Sequence, residues 1–231
     1  NEPADEEMYK FSGWVKPGRN LMLGAGSETT ETLKNWIDTA KAENFEYVLL
    51  DYGWYGPELD DRCDPRLDPS KLEPEPGDSE ELAQVKRIMK EFIPADGVFD
   101  AGEGFPPYGL ITGEPVPGWP EGGLFQPHLD MREICEYANS QGVGMILYVN
   151  NRHMFDKYGR YTVDELFARF EDWGAAGVKP GFMMEGNQEY EARNEEMIEA
   201  AARHHLVLTI HDEYVTSGIE RTYPNLLTTE G

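Results

Sequence analysis

The sequence predicts an α/β protein built on a parallel sheet, and three observations carry that prediction. Short apolar runs alternate with helically spaced stretches, no obvious hairpin joins consecutive runs, and the runs end in polar residues. Such an alternation fits either a doubly wound sheet or a (β/α)8 barrel. With 231 residues, 39% hydrophobic and 12% aromatic, the chain can bury the core of one domain, which excludes global disorder.

The elements follow in order. Asn20-Leu-Met-Leu-Gly-Ala is a short apolar run, and Ser27-Glu-Thr-Thr behind it offers hydroxyl caps to a helix. Over 30–42, Leu33, Trp36, Ile37 and Ala40 recur at three-four spacing as one apolar stripe. Tyr47-Val-Leu-Leu is continuously apolar, as in a strand covered on both faces, and Asp51 closes it. The same cycle returns as a helix over 130–140, a strand over 143–149, a helix over 162–173 and a strand over 178–183. It continues as a helix over 188–204 and a strand over 206–210 that ends in His211-Asp212, with a sixth strand expected over 225–228.

Between 57 and 127 the rhythm gives way to a segment rich in proline, glycine and acid, with one helix expected over 79–92. Its stretch 57–104 holds 14 acids and 6 bases, an excess of eight. We read 57–127 as an insertion with a solvated acidic surface, the alternative being an ion- or partner-binding lid. Without it 160 residues remain, and a barrel of about 250 residues allots roughly 31 to each unit. Five or six units fit, so the chain is expected to be an open sheet of that size or about the first six units of a barrel.

Charge excludes several partners. The 44 acids against 20 bases leave a net charge of -24, which repels phosphate backbones and anionic lipid surfaces. Neither nucleic acid nor membrane insertion is therefore expected, and the apolar runs fall far short of the roughly 20 residues that cross a bilayer. Cys63 and Cys135 stand in no metal-ligand spacing and read as free thiols. An acidic surface suits a salt-rich or extracellular setting, so a secreted or periplasmic location is expected, although the N-terminal residues carry no signal-peptide pattern.

In either α/β architecture ligands meet the carboxyl ends of the strands, so the residues after each run are the candidates. They are Asp51 with Trp54 and Tyr55, then Asn150, Asn151, Arg152 and His153, then Glu185 with Gln188, then His211, Asp212 and Glu213, and finally Glu230. Carboxylates beside aromatic rings suit a sugar: acids and bases serve the glycosidic oxygen and water, and ring faces take the apolar side of a pyranose. Each has a plainer reading, since Asp51 can cap a turn, Trp54 can be rim packing and His211 a satisfied, half-buried imidazole. No GxGxxG, P-loop or GxSxG pattern competes.

Two stretches near the start, Trp14-Val-Lys-Pro-Gly-Arg and Leu33-Lys-Asn-Trp-Ile-Asp-Thr-Ala running into Tyr47-Val-Leu-Leu-Asp-Tyr-Gly-Trp-Tyr, resemble the opening of the catalytic barrel of glycoside hydrolase family 97. Gly177-Val-Lys-Pro-Gly-Phe and the run from His211-Asp-Glu-Tyr to Thr-Thr-Glu-Gly231 continue the likeness. The resemblance implies a single (β/α)8 TIM-type domain over 1–231, incomplete at its C-terminal side and interrupted by the 57–127 insertion. It also implies hydrolysis of α-glucosidic or α-galactosidic bonds in an oligosaccharide or glycoside, with Ca2+ held in part by Glu230. Retaining members carry an aspartate nucleophile where Gly181 stands, and a glycine there is similar to inverting members. Asp212 then falls on the position of the base, and Asn151 on that of a second carboxylate, where an amide cannot take a proton from water. Glu185 and Glu213 are the fallback carboxylates, and the general acid is expected beyond Gly231. The alternative is a catalytically impaired, carbohydrate-binding barrel.

Overall fold

The computed structural model describes residues 13–23, 29–55, 63–68, 70–92, 129–155, 160–183, 186, 188–211 and 218–229. Six strands, β1 (Asn20–Leu23), β2 (Tyr47–Leu50), β3 (Gly144–Asn150), β4 (Gly177–Gly181), β5 (Val207–Ile210) and β6 (Leu226–Thr229), form one sheet. Each pairs in parallel with the next in sequence, so the spatial order equals the chain order. A doubly wound sheet reverses its winding direction at a switch point. This sheet does not; it is singly wound.

The crossovers explain the order. Helices α1 (Thr30–Ala42), α3 (Met131–Gln141), α5 (Val163–Trp173) and α6 (Gln188–Arg203) pack side by side in chain order. Each crossover then advances the sheet by one strand. Local chemistry fixes their ends. Thr29 and Thr162 form capping boxes with Thr32 and Glu165, and Asp130 accepts from the Glu133 N–H. Gly142 and Gly174 stop α3 and α5 at φ 77° and 84°, a left-handed conformation that side chains resist.

Strand residues alternate between two cores. Val48, Leu50, Leu147, Val149, Val178, Leu208 and Ile210 meet the helices, where Leu33, Ile37, Ile134, Phe167, Phe170 and Met197 are fully buried. Each such side chain contributes about 1.5–3 kcal/mol by leaving water. Tyr47, Leu49, Ile146 and Val207 form a separate cluster on the opposite face, and no described helix residue joins it.

The predicted boundaries hold within two residues, with one informative difference. Strand β4 ends at Gly181 rather than at 183, because Phe182 turns to φ 53° and leaves the extended conformation. A short helix, α4 (Asn151–Met154), follows β3 directly and was not expected. Of 57–127, the described parts include α2 (Glu80–Phe92), which has its own small core of Leu67, Leu72, Val85 and Met89.

Candidate functional site

The helix-free face is read off the register. Leu49 pairs with Ile146, Leu50 with Leu147 and Tyr148 with Lys179, so Asp51, Tyr148 and Lys179 stand at one level, above the apolar layer of Leu49 and Ile146. One step nearer the carboxyl ends, Asn150 pairs with Gly181, and the His211 N–H donates to Pro180 O at 2.8 Å. Apolar floor and polar tips therefore share a face, with a hollow of about 120 Å³ at the lower end between Tyr47, Ile146, Val207 and Thr228.

Lys179 organises the polar level. Its Nζ lies 3.2 Å from Asp51 Oδ2 and 3.8 Å from Met22 Sδ, with 6% of its side chain and 13% of that of Asp51 exposed. Adjacent strands are about 4.8 Å apart, so the lysine spans β3 to reach the end of β2. Asp51 is anchored in turn: its N–H donates to Leu23 O, and its Oδ1 accepts from the Tyr52 N–H at 3.0 Å. Desolvating two charges is costly, and an apolar pair of similar volume is often as stable. A buried ion pair is thus weak evidence for stability, and this one stands at the carboxyl ends of the strands, where α/β folds meet their ligands.

The remaining candidates separate. His211 is half-buried at the end of β5, next to β4. Trp54 requires correction: it is 0% exposed, donates from Nε1 to Tyr148 O at 2.7 Å, and packs against Tyr55, Phe170 and Trp173. It is a core residue joining sheet to helices and offers no face to a sugar. Asn151 lies one residue past the strand tip, as the first residue of α4, and Arg152 is exposed, its N–H donating to Asn150 Oδ1. The amide that parity brings to the helix-free face is Asn150, 4% exposed. Asp212, Glu213, Glu185 and Glu230 lie outside the described residues.

Lys179 and Tyr148 were not singled out from the sequence. The available signal for Lys179 was its place: a lysine inside the buried run Gly177–Gly181 has to be paired.

A larger cavity of about 410 Å³ lies elsewhere, between the described part of 57–127 and helices α3 and α5. Its five cations are already matched: Arg66 with Asp64, Lys71 with Asp68 and Asp130, Lys86 with Asp78, and Arg132 and Arg169 with Asp172. That pairing makes it a seam of ion pairs remote from the strand tips. Neither cysteine is in a disulfide, both are buried, and burial pushes the Cys135 thiol up to about 12, which disfavours a nucleophilic thiolate there.

A singly wound parallel sheet with an ion pair, an amide and an imidazole at the carboxyl ends of its strands defines an α/β domain of the kind that binds ligands at those ends. The profile described as Glycoside hydrolase 97 matches residues 124–231. The chain is 33% identical over 242 aligned positions to a protein named "Retaining alpha-galactosidase" from Bacteroides thetaiotaomicron, covering 99% of this chain and 26% of that protein. Among solved structures it is similar to a glycoside hydrolase family 97 enzyme from Pseudoalteromonas sp. strain K8, in complex with acarbose, with a TM-score of 0.59 and 17% identity, covering 100% of this chain and 31% of that one. It is also similar to a β-arabinopyranosidase, with a TM-score of 0.54 and 18% identity, covering 100% of this chain and 27% of that one. The chain is a divergent relative of glycoside hydrolase family 97. It spans about a quarter of the length of the curated relatives it matches.

Proposed function

We propose that the chain forms the first six units of a (β/α)8 glycoside hydrolase domain acting on α-galactosidic or α-glucosidic bonds. The observation that carries this reading is the Asp51–Lys179 pair at the strand tips of a chain related to glycosidases. On a sugar, Lys179 donates to a hydroxyl oxygen, Asp51 accepts a hydroxyl hydrogen, and His211 borders the same face. Gly181 supplies no nucleophile, so the favoured course is inversion, with water as the attacking group and Asp212 as the base. Glu185 or Glu213 is the substitute carboxylate if Asp212 is not. A secreted or periplasmic setting belongs to the same proposal and is supported by the net charge of -24.

Calcium is a separate proposal resting on Glu230 and the family likeness. Among the described residues no group of three or more His, Cys, Asp or Glu side chains converges on a metal position. The described residues therefore do not fit a calcium cage by themselves, and the roles of Asp51 and Lys179 do not depend on one. A chelator that leaves the melting temperature unchanged counts against calcium alone.

The second reading, a carbohydrate-binding domain without catalysis, is favoured by Gly181 and by amides rather than carboxylates at Asn150 and Asn151. Release of nitrophenol from aryl α-galactoside and α-glucoside, by this chain and by the longest protein its gene encodes, separates the two. Turnover that falls about 10- to 100-fold in kcat/KM with Asp51→Asn supports the enzyme, the size expected for one charged hydrogen bond. Sugar binding in calorimetry without turnover supports the binding domain, and neither binding nor turnover overturns both.

A further inference from the structure

Gly181 closes β4 on the helix-free face, and a side chain there would begin inside a ring. An added Cβ would lie 2.2 Å from Tyr148 Cε2, 2.5 Å from its Oη and 2.6 Å from its Cζ. Atoms do not approach so closely, so either the ring moves or no side chain fits. Tyr148 is 3% exposed and belongs to the main core cluster, so moving its ring means displacing packed neighbours. Gly144 and Gly177 are crowded too, by Tyr47 and Val207, but they stand at the opposite end of their strands. Gly181 is different because it stands at the tip, paired with Asn150 and next to the Pro180 carbonyl that receives the His211 N–H.

We infer that Tyr148 is a specificity-determining residue: its ring fills the place of a side chain at position 181 and commits this face to chemistry without a carboxylate at that position of β4. Retaining glycosidases need two carboxyl groups about 5–5.5 Å apart, one of which bonds covalently to the sugar. With the tip of β4 closed, the anomeric carbon meets water instead. The water oxygen bonds to that carbon from the side opposite the departing glycosidic oxygen, and its proton passes to a carboxylate at another strand tip. The leaving oxygen takes its proton from the general acid, and the product is inverted. This stereochemical consequence rests on the glycosidase reading; the steric pairing of Tyr148 with Gly181 does not.

A double-mutant cycle tests the pairing. Tyr148→Leu removes the three atoms that crowd Gly181 and keeps a buried apolar side chain. Gly181→Ala is expected to lower Tm by about 4–8 °C in the parent chain and by at most about 2 °C in Tyr148→Leu, from the usual cost of overpacking in a domain of this size. If Gly181→Ala alone fails to fold, recovery of a cooperative transition in the double variant supports the pairing. Equal losses in both backgrounds, or no folding in either, overturn it. The second measurement is the anomer first released from an aryl α-galactoside, followed by NMR. A β-anomer supports the inferred course, and an α-anomer overturns it. Absence of turnover with a positive cycle means that the glycosidase reading fails while the steric role of Tyr148 stands.

Discussion

Lys179 of β4 reaches across β3 to within 3.2 Å of Asp51 at the end of β2, tying three parallel strands together on the face that no described helix covers. Each charge is held there in part by the other, and breaking a buried pair by removing one partner typically costs about 3–5 kcal/mol.

Lys179→Met and Asp51→Leu are therefore each expected to destabilise by about 3–5 kcal/mol in urea unfolding, and the double variant by clearly less than their sum. Strictly additive losses would mean that the two charges do not depend on each other.

For Trp54 the expected role is structural. Trp54→Ala opens a cavity among Tyr55, Phe170 and Trp173 and should cost about 3–5 kcal/mol. Trp54→Phe keeps a ring but leaves Tyr148 O without its 2.7 Å donor, a loss of about 1–3 kcal/mol. If Trp54→Phe weakens sugar binding in calorimetry without changing stability, the core assignment is wrong.

The thiols should be silent in the folded state. Cys63 and Cys135 are both buried, and burial, reinforced by the negative charge of Asp68, pushes the Cys135 thiol up to about 12. At pH 8 a chromogenic disulfide reagent is expected to report no rapid reaction from the native chain and two thiols after denaturation. Rapid native labelling would show that one of them is accessible.

Asp130 connects acidity to the start of α3. Burial pushes its carboxyl up, but the Glu133 N–H and the Lys71 ammonium outweigh this and hold it below the ordinary carboxylate value. Because the folded value is the lower one, this stabilisation is complete above the ordinary value near 4 and is lost as pH falls through the depressed one. Asp130→Ala should cost about 1–2 kcal/mol at pH 7, and the gap from the parent chain should narrow below about pH 4. A gap that is constant down to pH 2.5 would sink this account.

The strands and helices were legible because local patterns specify them. Val48, Leu49 and Leu50 are apolar on consecutive positions because both faces of β2 are covered, and Thr29, Asp130 and Thr162 mark helix starts by hydrogen bonds within three residues. The site was legible in part. Asp51 and His211 were found from their positions after apolar runs. Trp54, four residues beyond the same run, was misplaced because nothing local distinguishes a tryptophan turned into the helix layer from one turned toward a ligand. Lys179 was passed over within a buried strand, and its partner is 128 positions away.

The amino-acid order alone determined the parallel α/β class, the element boundaries and the acid at the end of β2, since period, caps and terminators act over a few residues. Tertiary structure alone decided that the sheet winds in one direction, that Lys179 meets Asp51, and that Tyr148 fills the space above Gly181. Those three depend on register between strands, and register is set by the packing of whole faces, which no short stretch of chain contains.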